Sequence, residues 1–186
     1  MVLFINACVR ECSRTKRLAD HLLEKLGQPV QEVQLETISF PIANEAFLQK
    51  RDRLLADGRF DDPLFDLARQ FAGAAQIVIA APYWDLSFPA ALKQYFEQVN
   101  VVGITFKYSP EGIPVGLCRG ERIYYVTTAG GDYCPEDFGF GYTRALAQGY
   151  YGIKDVRLIQ ATGLDIVGAD VEAIMGEAIE RIGSLI

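Results

Sequence analysis

Residues 76–89 read QIVIAAPYWDLSFP and carry the clearest structural signal of the chain. The run Gln76–Ala81 is short and almost wholly apolar, which predicts a central strand buried on both faces of a parallel sheet. Pro82 ends this strand, and Pro89 begins a helix whose apolar residues recur three and four positions apart. The stretch therefore predicts one strand–loop–helix unit whose loop is rich in aromatic residues and is held between two prolines.

The same alternation of strands and helices extends to both ends of the chain. Apolar runs predict further strands at Val2–Ala7, Val30–Leu35, Arg122–Thr128 and Val156–Ala161. Helical spacing predicts the other helices over 15–26, over 45–56, from Asp62-Pro63 onward, over 138–151 and from Val171 onward. Residues 105–108 fit a short hairpin within the connection 102–119. Five strands alternating with helices indicate an α/β fold, with a doubly wound parallel sheet covered by helices on both faces.

Ligands of such sheets bind beyond the carboxyl ends of the strands. The loops that follow the predicted strands are 7–15, 82–89, 128–137 and 161–168. We therefore expect the functional residues to lie in these four segments.

Composition excludes several classes of function. The 186 residues fit one domain, and a net charge of −6 disfavours nucleic acid as a partner. Four scattered cysteines (Cys8, Cys12, Cys118 and Cys134) and the single His21 do not have the spacing of a metal site. The chain begins without a basic segment and contains no long apolar run, so neither a signal peptide nor a membrane span is predicted, and we expect a cytoplasmic protein.

The first loop is a candidate anion site. It contains neither the GxGxxG nor the GxxxxGK[ST] pattern of nucleotide-binding loops. Ser13 and Thr15 nevertheless lie where a helix begins, and their hydroxyls, the free backbone amides and the helix dipole can hold a phosphate monoester. The alternative, equally weighted for this loop alone, is that Ser13 only caps the helix.

A cysteine phosphatase is a rival interpretation of the same loop. Cys8 and Arg14 are separated by five residues and followed by Thr15, which matches the C-x5-R-[ST] pattern. Glu11 would direct a carboxylate toward the anion, no glycine eases the loop into a tight turn, and Asp62-Pro63 lies too early to supply the general acid. This interpretation is therefore the weaker one, and Cys8 is expected to be an ordinary buried thiol.

Two further loops favour a flat ligand. Three aromatic residues, Tyr83, Trp84 and Phe88, fall within six positions, and aromatic walls suit a planar ring system. Gly130-Gly131 after the fourth strand lets backbone amides approach a ligand closely. Rim packing and a plain turn are the respective alternatives, and the two loops together favour a cofactor.

Three segments resemble the flavodoxin-like NAD(P)H:quinone oxidoreductases, and among them the FMN-dependent NADH azoreductases. They are APYWDLSFPAALKQYFE, GITFKYSPEGIPVGL and YYVTTAGGDY, and the similarity extends to GIKDV and TGLDIVG near the end. The resemblance implies one flavodoxin-like FMN-binding domain over residues 1–186, with strand order 2-1-3-4-5. It also implies a homodimer whose active sites form between the subunits.

The resemblance also implies the site residues. Those expected at the cofactor are Ser13, Arg14, Thr15, Pro82, Tyr83, Trp84, Asp85, Leu86, Thr128, Ala129, Gly130 and Gly131. Those expected on the substrate side are Phe106, Tyr108, Tyr133 and Tyr150, with Tyr133 a candidate proton donor or lid residue. No residue is assigned as catalytic, because the hydride chemistry takes place on the flavin.

The implied reaction passes a hydride from NADH or NADPH through FMN to a quinone, azo compound or similar small acceptor, in ping-pong order. FAD is less favoured, since no second nucleotide-binding segment is recognisable. A non-enzymatic flavodoxin-like electron carrier is the alternative function. Ala7, Asp85 and Ala129 stand where relatives often have serine, asparagine and a larger polar residue, and an ionised Asp85 beside the ring would lower its reduction potential.

Overall fold

A computed structural model describes residues 1–186, and its centre is a five-stranded parallel sheet. The sheet strands are β1 (Val2–Asn6), β2 (Val30–Gln34), β3 (Gln76–Ala80), β6 (Arg122–Thr128) and β7 (Asp155–Ala161), and a separate antiparallel hairpin comprises β4 (Phe106–Tyr108) and β5 (Pro114–Gly116). The helices are α1 (Arg14–Leu26), α2 (Glu45–Ala56), α3 (Asp66–Gly73), α4 (Ala90–Val99), α5 (Phe140–Leu146) and α6 (Val171–Leu185). No helix among these is both long and apolar enough to cross a membrane.

The order of the sheet is β2-β1-β3-β6-β7. Counted along the five sheet strands alone, this is 2-1-3-4-5, so the predicted order and the doubly wound topology are confirmed. The chain turns back across the sheet at β1, which pairs with both β2 and β3. Because the connections after β1 and β3 run to opposite sides, a crevice opens between their carboxyl ends.

Both faces of the sheet are covered by apolar packing, as predicted. On one face, Phe4 and Val78 share a buried cluster with Leu18 of α1 and Met175 of α6. On the other face, the larger cluster includes Tyr95 and Phe96 of α4. Burial of these aliphatic and aromatic side chains is the main stabilising term of the fold.

Two helical segments differ in detail from the prediction. The segment predicted as one helix over 138–151 begins at Phe140, and its last turn, Ala147–Tyr151, is π-helical. The segment predicted to start at Asp62-Pro63 opens with a 3-10 turn, Pro63–Phe65, before α3 begins. The predicted hairpin is confirmed by the pairing of β4 with β5.

Candidate active site

The N-terminus of α1 forms the polar corner of the site. The Oγ of Ser13 accepts a hydrogen bond from the backbone N of Lys16 at 3.2 Å, so Ser13 is the N-cap of the helix. A serine hydroxyl that accepts in this way still carries its own O–H donor. No acidic side chain lies in the first turn of the helix, so its dipole and the backbone amides of Arg14 and Thr15 remain available to an anion.

Thr15 and Thr128 link α1 to the end of β6. Their hydroxyl oxygens are 2.6 Å apart, and Thr15 is buried. One hydroxyl must donate to the other, so the pair retains a single O–H for a ligand. Only one of these two threonines can therefore donate to a bound phosphate at a time.

Arg14 is held at the mouth of the site by a partner that the sequence did not indicate. Its guanidinium lies 2.7 Å from a carboxylate oxygen of Asp165 and donates to the carbonyl of Leu164 at 3.3 Å. Both charged side chains are largely exposed, with 41% of Arg14 and 70% of Asp165 accessible. An exposed pair of this kind is weak enough for an incoming phosphate to compete for the arginine.

The aromatic loop turns back on itself between Trp84 and Ser87. Each of these residues donates its backbone N–H to the carbonyl of the other, at 3.1 and 2.8 Å. The two residues between them, Asp85 and Leu86, have φ angles of 48° and 67°. This left-handed backbone is strained in residues that carry a Cβ, and such strain is concentrated at functional sites.

The loop is also tied to the strand beside it. Tyr83 donates its backbone N–H to the carbonyl of Thr128 at 3.0 Å, which continues the pairing of β3 with β6 beyond the strand ends. The side chain of Trp84 is 39% exposed. An aromatic pair on a rigid support therefore faces the crevice.

The two glycines after β6, Gly130 and Gly131, differ in the space around their Cα atoms. A Cβ on Gly130 would stand 2.3 Å from the carboxylate of Asp165, so a side chain there would displace that carboxylate. Gly131 has no neighbour within 4 Å of the position that a Cβ would take. Contact with Asp165 therefore disfavours a side chain at Gly130, whereas no contact within the chain disfavours one at Gly131.

These segments enclose one cleft of about 360 Å³. Nine of the predicted cofactor residues line it: Ser13, Arg14, Thr15, Pro82, Tyr83, Trp84, Thr128, Ala129 and Gly130. Three predicted residues do not: Asp85, Leu86 and Gly131. The cleft also includes five residues that were not predicted: Val9, Arg10, Cys12, Leu164 and Asp165. The loop 161–168 was expected to lie at this edge, but its position alone did not single out Leu164 or Asp165.

The predicted substrate-side residues do not line this cleft. Phe106 stacks on Tyr150, with ring centroids 4.5 Å apart and an interplanar angle of 17°, and Tyr108 meets Phe106 edge-on. Tyr133 lies on the loop after β6 and is 76% exposed. We call Phe106, Tyr108 and Tyr150 the hairpin aromatic cluster.

A partly buried hydrogen-bond network centred on Asn6 supports the first loop. The side chain of Asn6 accepts from the backbone N–H of Cys8 at 2.9 Å and donates to Gln34 at 2.6 Å and to Glu32 at 2.9 Å. Gln34 in turn donates to the carbonyl of Cys8 at 3.0 Å. Asn6 is thereby fully hydrogen-bonded although it is almost completely buried, and the sequence signalled it only as a polar break in an apolar strand.

The structure opposes a nucleophilic role for Cys8. Its side chain is buried and is not among the groups that line the cleft. Burial raises the pKa of the Cys8 thiol, whereas a phosphatase nucleophile needs a lowered pKa. Ala7 is likewise buried and outside the cleft lining.

Comparison with known proteins identifies the family of this chain. A family model described as the flavodoxin-like fold matches residues 1–186. The chain is 37% identical, over an alignment 193 residues long, to the FMN-dependent NADH:quinone oxidoreductase of Clostridium perfringens. This alignment covers 99% of this chain and 96% of that protein. The chain is 38% identical over 192 residues to FMN-dependent NADH:quinone oxidoreductase 2 of Clostridium acetobutylicum, covering 97% and 94%.

Solved structures show the same fold. An azoreductase from Bacillus anthracis superposes with a TM-score of 0.85 at 24% identity, covering 99% of this chain and 97% of that one. An FMN-dependent NADH-azoreductase from the same species, in complex with FMN, superposes with a TM-score of 0.82 at 22% identity, covering 98% and 96%. Since the family model spans the whole chain and full-length relatives share more than a third of its residues, the chain belongs to the flavodoxin-like family of FMN-dependent NADH:quinone oxidoreductases.

Proposed function

We propose that this protein is an FMN-dependent oxidoreductase that transfers a hydride from NADH to a quinone, azo compound or similar small acceptor. The observation that carries the proposal is the joining, in one cleft, of a helix N-terminus at one side to the aromatic residues Tyr83 and Trp84 at the other. A phosphate monoester attached to a planar ring needs both features. The volume of about 360 Å³ is within the usual range for cofactor sites.

The residues present fit FMN. The amides of the first turn of α1 and the Ser13 hydroxyl are donors for the phosphate, and Arg14 supplies a positive charge when it leaves Asp165. We assign the segment 82–86 to one side of the ring and the segment 128–131 to its other edge. Asp85, Leu86 and Gly131 belong to these two segments but do not line the cleft themselves.

When bound, FMN supplies the hydride chemistry, and the chain binds the cofactor, orients it and shields it from water. Tyr83 and Trp84 form the aromatic side of the cleft, which we call the ring wall. The hydrogen-bonded loop at Tyr83 and the strained turn after Trp84 hold this ring wall in a fixed position. Tyr133 remains a proposed proton donor or lid residue, because its phenol is exposed on the loop beside the cleft.

We further propose a homodimer in which the hairpin aromatic cluster serves the active site of the partner subunit. The cluster does not line the cleft of its own chain. Beside it, the β4–β5 hairpin exposes Ile113, Val115 and Leu117 at 61%, 41% and 37%. A second copy of this chain would bury these apolar side chains and bring the cluster to a second cleft.

The remaining parts of the proposal concern the chain as a whole. We propose that residues 1–186 form a single FMN-binding domain, since the five sheet strands share one sheet. We also propose a cytoplasmic location, because the proposed donor NADH is a metabolite held inside cells.

The visible spectrum of the protein, followed by anaerobic addition of NADH, tests the function. We expect a yellow protein whose flavin absorbance is bleached by NADH and restored by a quinone. An electron carrier would instead be bleached by dithionite and not by NADH. A colourless protein that takes up no FMN and cleaves an aryl phosphate, with activity lost in Cys8→Ser, would contradict the proposal.

A further inference from the structure

A second, much smaller cavity lies behind the ring wall. Its volume is about 10 Å³. Tyr125 and Thr127 of β6 line it, together with Leu158 and Gln160 of β7. Tyr83 and residues of the segment from Cys134 to Phe140 supply the rest of its lining, so the loop after β6 forms one side of the cavity.

Tyr83 forms the wall between this cavity and the cleft. It is the one residue that lines both. Its backbone is fixed by the hydrogen bond to Thr128, but its hydroxyl oxygen is buried and has no hydrogen-bond partner within the protein. Since that oxygen is buried, the hydroxyl does not project into the open cleft.

Two more hydroxyls at the cavity have the same unusual status. The oxygens of Tyr125 and Thr127 are buried and have no partner within the protein, and the two residues are 1% and 3% exposed. The Tyr125 hydroxyl lies 3.3 Å from where a Cβ on Gly139 would stand, which places it at the cavity wall. Burial raises the pKa of Tyr125, so its O–H proton is retained at neutral pH.

Three buried hydroxyls without partners around one small cavity are costly unless a shared partner satisfies them. A volume of roughly 10–15 Å³ by this measure holds one water molecule, and a buried water makes two to four hydrogen bonds. The cavity has that volume, and three of the residues that line it carry a buried hydroxyl without a partner.

We propose that this cavity binds a single structural water that links the hydroxyls of Tyr83, Tyr125 and Thr127 and fixes Tyr83 from behind. Tyr125 and Thr127 are then positioning residues for the ring wall, because they act on the cofactor through the water and Tyr83. This second step rests on the proposed binding of FMN, whereas the water site itself does not.

Tyr95 provides a matched control. Its hydroxyl is also buried without a partner, but its ring packs against Phe71 and Phe96 in the core. It lines neither the cleft nor the small cavity. Tyr95→Phe therefore removes a buried hydroxyl with no effect on the ring wall.

The first measurement is the thermal midpoint of the flavin-free protein. If a water satisfies the hydroxyls, Tyr125→Phe and Thr127→Val each remove one of its hydrogen bonds, and we expect the Tm to fall by about 2–4 °C. Tyr95→Phe should leave the Tm unchanged or raise it. A rise in Tm for Tyr125→Phe, like that of the control, would show that a dry, unpaired hydroxyl had been removed and would overturn the water site.

The second measurement is the dissociation constant of FMN for the same variants. We expect Tyr125→Phe and Thr127→Val to weaken FMN binding by about 3- to 10-fold, and Tyr95→Phe to leave it unchanged. Combining either change with Tyr83→Phe should add nothing further, because the link is already broken. Unchanged FMN affinity alongside a lowered Tm would overturn the positioning role. Failure of the unaltered protein to bind FMN would overturn the positioning role together with the proposed function, while the Tm result would still decide the water site.

Discussion

Asp85 combines an unusual backbone with an unusual charge. Its φ of 48° lies in the left-handed region, which aspartate and asparagine tolerate better than larger residues do, and its carboxylate is exposed beside the proposed ring wall. Asp85→Asn keeps the shape and removes the charge. We expect the midpoint potential of bound FMN to rise by at most about 20 mV, which is the effect of one unit charge at about 4 Å in water, because Asp85 lies outside the cleft lining.

Spectroelectrochemical titration of the two proteins gives this difference directly. Asp57→Asn, at the end of α2, is the control for removal of an exposed charge far from the cleft, and its potential should match that of the unaltered protein. Equal potentials for Asp85→Asn and the unaltered protein would show that the carboxylate does not act on the ring.

Single residues were predictable where local chemistry identifies them. Ser13 lies at the beginning of a helix, and Tyr83 and Trp84 stand in an aromatic loop between two prolines, so their types and positions indicated a site. The pairing of Arg14 with Asp165 was not predictable, because the two residues are 151 positions apart and meet only after folding. The same holds for the hydrogen bond between Thr15 and Thr128.

At the level of elements, Asn6 couples the end of β1 to β2 and to the loop that precedes α1. Asn6→Ala leaves the buried N–H of Cys8 without an acceptor and frees Gln34. We expect a loss of about 2–3 kcal/mol in the free energy of unfolding. We also expect weaker binding of FMN, because the loop before Ser13 loses its hydrogen-bonded support. Urea unfolding gives the first quantity.

Hydrogen exchange locates the effect of Asn6→Ala. The amides of Cys8 and Ser13, which are the hydrogen-bonded ones of this loop, should exchange faster, while those of the central strand β3 keep their protection. Gln31→Ala, an exposed residue of β2 whose side chain makes no hydrogen bond, is the control and should change neither quantity. Uniformly faster exchange over the whole chain would indicate general destabilisation and not a specific role for the loop.

The elements themselves were predictable because apolar periodicity reports which faces are buried. The π-helical turn Ala147–Tyr151 was one of two exceptions, the other being the 3-10 turn Pro63–Phe65. A Cβ on Gly116 of β5 would stand 2.2 Å from the backbone of Tyr151, and the Tyr151 hydroxyl donates to Asn100 at 2.7 Å. The close approach of the hairpin coincides with this altered turn, and a contact over such a sequence distance leaves no local pattern.

At the scale of the whole molecule, the hairpin is the proposed dimer contact. Val115→Lys places a charge in the centre of its exposed apolar surface, and we expect a shift from dimer to monomer in light scattering. Quinone reductase activity should fall with the dimer, because the hairpin aromatic cluster would no longer reach a partner. Val30→Lys on the edge strand β2 is the control. A monomeric unaltered protein with full activity would contradict the proposed assembly.

The amino-terminal edge of the sheet supplies a prediction for the stability of the entire fold. Asp155 of β7 accepts from Arg157 at 2.9 Å and from Arg122 of β6 at 2.6 Å, and both arginines also donate to backbone carbonyls at the end of α6. The hydrogen bond from Arg157 and then that from Arg122 lower the pKa of Asp155. The ionised carboxylate therefore stabilises the folded state fully above the usual aspartate pKa of about 3.9. This stabilisation is lost as the pH falls through the lowered pKa of the folded state.

Because the Asp155 side chain is 36% exposed, we expect Asp155→Asn to cost at most about 1 kcal/mol in the free energy of unfolding at pH 7. Urea unfolding of both proteins should show this difference at pH 7 and a narrowing difference below pH ~4, whereas Glu180→Gln on the exposed face of α6 should show none. A difference that stays constant down to pH ~2 would mean that packing, and not charge, holds α6 against the sheet.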